Sequence, residues 1–131
     1  MYTTRLLAKV LDVSISFRMS VLESCALTCL QRGQIQGWQG LVAVDGKAYA
    51  WMGVSKLPLV TQVSMEYTAT RSIFTFDVDG KVKLDVAFLS PVYTNDLARQ
   101  SQQFSYVTVK ASSADGGVHS VQVYLDVTGG T

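Results

Sequence analysis

Leu41-Val42-Ala43-Val44-Asp45-Gly46-Lys47-Ala48-Tyr49-Ala50-Trp51-Met52 is the stretch on which the reading of this chain turns. Two short runs rich in β-branched and aromatic residues flank Asp45-Gly46, a dipeptide that accepts the positive φ angles of a type I′ turn. A β-hairpin is predicted. Further along, Val82, Leu84, Val86 and Phe88 alternate with Lys83, Asp85 and Ala87, and Asp79-Gly80 joins this run to Met65–Phe76. That pattern predicts a second hairpin. Phe104 to Ala111 and Val118 to Val127 flank Ser113-Ala114-Asp115-Gly116-Gly117, and turn chemistry of this kind between two alternating runs predicts a third. Strict alternation gives each sheet one dry face and one wetter face, so two sheets must pack together to cover the apolar sides. The expected fold is all-β, an antiparallel β-sandwich. A short helical turn is expected near 94–100, entered after Ser90-Pro91, with Thr94 as its cap and acidic residues in its first turn.

Upstream of Gly37 two patterns compete. Leu6, Leu7, Val10 and Leu11, then Val21, Leu22, Cys25, Ala26 and Cys29, recur at spacings of three and four, which suits one helix face. Between them Val13, Ile15 and Phe17 alternate with Ser14, Ser16 and Arg18 in a strand pattern. With 131 residues there is room for one domain: a sandwich over 37–131, with segment 1–36 packed against it.

Eleven basic and ten acidic side chains leave a formal charge of +1, so no global field gathers a polyanion, and nucleic acid is not an expected partner. Lys81 and Lys83 are interleaved with Asp79 and Asp85, an ordinary solvated strand face. No apolar run approaches the roughly 20 residues of a membrane-spanning helix, so membrane insertion is not expected. Near the start, Arg5 precedes Leu6, Leu7 and Ala8, but Lys9 and Asp12 interrupt the apolar run that an export signal needs.

Motifs that carry chemistry are sparse. Gly-x-Ser-x-Gly and the phosphate loop do not occur. His119 is the single histidine; it reads as a structural or rim histidine, with a catalytic base as the alternative, since no partner is evident. Asp77, Asp79, Asp85 and Asp126 read as solvated acids on strands or at their ends. Cys25 and Cys29 lie four residues apart, about 13 Å along a strand, beyond disulfide reach. They are read as free or buried thiols, with an intermolecular disulfide or a metal site as alternatives. No catalytic residue, cofactor site or metal site is assigned. Trp38, Trp51 and Tyr93 are the candidates for surface aromatic contacts, set against the reading that the aromatic residues, scattered over many strands, pack the core and sheet faces.

One resemblance organises these observations. Gly37-Trp38-Gln39-Gly40-Leu41-Val42-Ala43-Val44-Asp45-Gly46-Lys47-Ala48-Tyr49-Ala50-Trp51-Met52-Gly53, then Val60-Thr61-Gln62-Val63, Tyr67–Thr75, Phe88-Leu89-Ser90-Pro91-Val92, Asp96–Ser101 with Phe104-Ser105-Tyr106, and Gly117–Tyr124 follow the order of blocks in the fungal glutaminase A family. The chain resembles the N-terminal non-catalytic β domain of that family over Gly37 to about Val127. In the family this domain precedes a large helical domain, to which glutamine hydrolysis is usually assigned. The resemblance therefore implies a module without catalytic residues, extracellular, whose partner is another protein or its own helical domain. Residues 1–36 depart from the family's usual extended entry, and the family continues beyond the point where this chain stops, which marks an isolated, truncated or divergent module. Two other functions compete: a free-standing small fungal interaction protein of the immunomodulatory type, binding cell surfaces, and a carbohydrate-binding sandwich. Sheet edges and apolar surface left bare by a missing neighbour favour self-association, so a homo-oligomer is expected.

Overall fold

Alternation of apolar and polar side chains from Gly37 onward leaves the chain little choice but to form strands that share a dry interior. The computed structural model describes residues 4–10, 12–20, 37–101 and 104–128, with side chains from 37–101 and 105–126. Its strands are β1 (Thr4–Val10), β2 (Asp12–Ser20), β3 (Gly37–Val44), β4 (Lys47–Met52), β5 (Thr61–Tyr67), β6 (Arg71–Val78), β7 (Val82–Leu89), β8 (Phe104–Ser113) and β9 (His119–Thr128). A four-stranded sheet runs β1-β9-β3-β4 and a five-stranded sheet runs β2-β8-β7-β6-β5. All pairings between these strands are antiparallel. The two sheets form the expected sandwich.

Both Asp-Gly turns behave as their chemistry requires. Asp45 and Gly46 adopt φ of 50° and 85°, and Asp79 and Gly80 adopt 57° and 67°. Val44 pairs with Lys47, and Val78 with Val82. Val42, Val44, Val121 and Val123 from one sheet meet Val78, Leu84, Val86 and Val109 from the other, all buried. Each such side chain contributes about 1.5–3 kcal/mol by leaving water. At Gly40 the packing leaves no room for a side chain: an added Cβ would lie 2.4 Å from the Trp51 ring.

Three expectations are corrected. The run after Phe104 and the run after Val118 do not form a hairpin: β8 pairs with β2 and β7, whereas β9 pairs with β1 and β3. Both margins of β8 are thus already hydrogen-bonded, and residues 114–118 carry the chain across the roughly 10 Å between packed sheets. Leu6 to Val10 are not helical. They belong to β1, in which Thr4 to Val10 lie opposite Leu125 to His119; so short an apolar run cannot sustain a helix unaided, and a ladder of backbone hydrogen bonds prevails. Val13, Ile15 and Phe17 lie in β2, as their alternation predicts. The helix-like spacing from Val21 to Cys29, including Cys25 and Cys29, falls outside the described residues.

The helical turn is α1 (Leu97–Gln100), and its cap is Asp96 rather than Thr94. The Asp96 Oδ1 accepts the Arg99 N–H at 3.0 Å, so this acid satisfies the open amide from the cap itself. At the far margin of the four-stranded sheet, the Ala50 N–H donates to the Pro58 carbonyl at 2.9 Å and the Val60 N–H donates to the Ala50 carbonyl at 3.0 Å. The Leu57-Pro58-Leu59 loop therefore covers part of the β4 edge.

Candidate functional site

Positive φ at Asp45 turns its carboxylate back over the start of β9. Its Oδ1 accepts the Ser120 N–H at 2.9 Å, and its own N–H donates to the Ser120 carbonyl at 3.0 Å. Its Oδ2 lies 2.7 Å from His119 Nδ1. On the other side of the ring, His119 Nε2 lies 2.8 Å from Asp115 Oδ1. That oxygen also accepts the Gly117 N–H at 2.8 Å and the Ser113 hydroxyl at 3.0 Å, a local loop closure typical of aspartate in turns. The Ala114 N–H donates to the Lys81 carbonyl at 2.8 Å. The β3–β4 turn, the β6–β7 turn and the crossing segment 114–118 thereby meet at one end of the sandwich.

The imidazole is well covered, with its side chain 11% exposed, while the two carboxylates are 39% and 43% exposed. Hydrogen bonds that the ring donates to Asp115 and then to Asp45 raise the His119 pKa, against the opposing effect of burial. The Asp115 carboxyl is lowered to about 2, chiefly by the His119 contact and then by the Gly117 N–H. Asp45 is also held below the ordinary carboxylate range, first by the Ser120 N–H and next by His119. Nearby, burial and then the Asp79 carboxylate push the Tyr49 phenol up, a tie between β4 and the β6–β7 turn.

This arrangement argues against a catalytic base. A general base needs a ring nitrogen free to take a proton from substrate, and both His119 nitrogens face carboxylate oxygens. The Ser113 hydroxyl donates to Asp115 rather than to His119. The group is a clasp. Among the described residues, no group of three or more His, Cys, Asp or Glu is placed to hold a metal ion, and no helix is long and apolar enough to cross a membrane.

Of the aromatic candidates, Trp51 is 6% exposed and belongs to the core, not to a surface platform. Trp38 packs edge-on against Phe88, with centroids 6.2 Å apart, and is half-buried. Tyr93 is half-buried in its loop, with the Arg99 guanidinium 5.9 Å from its ring. Asp85 accepts the Thr75 hydroxyl at 2.8 Å, and Asp126, buried, lies 3.3 Å from the Tyr124 hydroxyl that donates to it. Asp77, Asp85 and Asp126 do not converge with the clasp.

A second feature lies along β5. Met65 pairs with Phe74 and Tyr67 with Ser72; opposed residues share a sheet face, and Phe74 stacks toward the core with Phe76 at 6.3 Å. Met65 and Tyr67 therefore stand on the side of the five-stranded sheet that faces its partner sheet. They nevertheless remain 52% and 75% exposed, so the four-stranded sheet leaves this strip uncovered. β5 also ends the strand order, presenting an open backbone edge among the described residues.

The clasp escaped sequence reasoning because Asp45 and His119 are 74 residues apart, and each aspartate already had an explanation as a turn residue. One signal was present: Asp115 stands four positions before His119, across a glycine pair tight enough to fold one onto the other.

Residues 70–131 match a family model described as a Domain of unknown function (DUF5127). A glutaminase A from Aspergillus oryzae is 47% identical over 97 residues, which make up 73% of this chain. The match spans about 14% of the length of that relative. No solved structure matches the chain. By this sequence similarity the chain resembles the N-terminal non-catalytic β domain of fungal glutaminase A-type proteins.

Proposed function

We propose that the chain serves as a non-catalytic β-sandwich module of a secreted glutaminase A-like protein, docking through the β5 strip onto the helical part of such a protein. The observation that carries this reading is the exposure of Met65 and Tyr67 on a sheet face that elsewhere is core. Large apolar side chains left bare beside an open strand edge mark a contact surface. The choice of occupant follows from the relative's length. A stretch like this one makes up 14% of the Aspergillus oryzae protein, so there it is joined to a far larger body able to cover the strip.

Two measurements test the reading. The purified chain should release no ammonia from glutamine above the buffer blank. In calorimetric titration it should bind a fragment of the Aspergillus oryzae glutaminase A that lacks the matching stretch, and Tyr67→Lys or Met65→Lys should weaken that binding about tenfold or more, as loss of a central anchor does. Glutamine turnover by the chain, or binding indifferent to both substitutions, would overturn the proposal. So would light scattering in which the chain alone already forms a stable dimer that either substitution disperses, since a second copy would then be the occupant.

A further inference from the structure

We propose that Asp45, His119 and Asp115 form a proton-operated latch, in which a protonated imidazole ties the β3–β4 turn to the crossing segment 114–118 and deprotonation releases that segment. Stoichiometry on the ring is the foundation. Two carboxylate oxygens lie at 2.7 and 2.8 Å from the two ring nitrogens, and a carboxylate only accepts. An imidazolium donates to both. A neutral imidazole has one N–H, so whichever tautomer forms, a nitrogen lone pair faces an anionic oxygen and one arm of the latch fails.

The groups around the ring support the charged form. The β3–β4 turn contributes Asp45, and the crossing segment contributes Asp115. The β6–β7 turn contributes Lys81, whose charge favours ionised Asp45, together with Asp79. On β1, Val10 stands opposite His119 in the ladder and Lys9 opposite Ser120. Two carboxylates in direct contact outweigh Lys81, in keeping with the raised His119 pKa. A histidine raised above 6.5 contributes its full stabilisation below that value and loses it as pH climbs through the folded pKa. The aspartates, lowered from 3.8, act in the opposite sense and lose theirs as pH falls, Asp115 toward about 2. The latch is thus closed in mildly acidic surroundings and opens on the alkaline side.

Opening has a definite structural readout. The Asp45 side chain holds the Ser120 N–H, and the Asp115 side chain holds the Gly117 N–H; both amides lose their local hold when the ring lets go. Amide hydrogen exchange on the intact chain, corrected for intrinsic rates at pH 5.5 and 8.5, should show protection at Ser120 and Gly117 falling with pH, while Leu84 in the core is unaffected. Each unit by which the His119 pKa exceeds its ordinary value corresponds to about a tenfold loss of local protection. A ring-resonance titration should place His119 above 6.5. His119→Gln should abolish the pH dependence at both amides, and should that variant not fold, Asp115→Asn should lower the His119 titration instead. A ring that titrates at or below 6.5, or pH-dependent exchange that persists in His119→Gln, would overturn the latch.

Discussion

The two margins of the sandwich are finished in opposite ways. At the turn end, two turns and a sheet-to-sheet crossing are drawn together by charge-assisted hydrogen bonds centred on His119. Along β5, apolar side chains stand on the inward side of the sheet with little over them. The difference teaches which part of the fold is complete in itself. Polar closure at the turn end needs nothing from outside, whereas the β5 strip places Met65 and Tyr67 where a covering surface belongs.

Substitutions can break or sharpen this contrast. The largest effect is expected at Leu84, fully buried beneath both sheets: Leu84→Ala should cost about 2–5 kcal/mol in urea denaturation. Gly40→Ala comes next, because the new methyl would strike the Trp51 ring at 2.4 Å; overpacking of this kind costs about 1–3 kcal/mol, with a shift in tryptophan emission as the ring is displaced. The turn end should respond to pH rather than to bulk packing. Unfolding midpoints should rise as pH climbs from 2 through 3.8, where Asp115 and Asp45 ionise, and decline as pH climbs from 6.5 through the raised His119 value. His119→Gln should remove the alkaline decline and weaken the acid-side rise, since the His119 contact is the chief cause of the lowered Asp115 carboxyl. At β5 the effect on stability should be smallest: Tyr67→Ser and Met65→Ala, on exposed positions, should stay within about 0.5 kcal/mol by thermal melt. A loss several times larger at β5 would erase the contrast.

Much of the architecture was legible in the residues, and the failures share a cause. Alternation from Leu41 onward named most of the strands because a pleated strand turns alternate residues to opposite faces, although Met65–Phe76, read as one run, is divided between β5 and β6. Asp45-Gly46 and Asp79-Gly80 named their turns because few other residues accept those φ angles. The run Ser113 to Gly117 misled because the same loop chemistry serves a hairpin and a crossing between sheets; which one forms is settled by β2 and β7 taking both sides of β8. Leu6 to Val10 misled for a kindred reason, since β9, more than a hundred residues on, supplies the hydrogen bonds that hold them extended. The clasp likewise joins distant positions. Local physics is written into local sequence, while pairing across the chain is not.

Pairing of β1 with β9 carries a consequence for how the molecule is born. Thr4 to Val10 leave the ribosome more than a hundred residues before the strand that completes them. At ordinary elongation rates that delay lasts seconds to tens of seconds, during which β3 and β4 can close their hairpin on the spot but β1 has no ladder to join. Its wait, rather than any slow turn, is where a nascent chain of this topology is most open to capture by a chaperone or to mispairing with a neighbour on the same message.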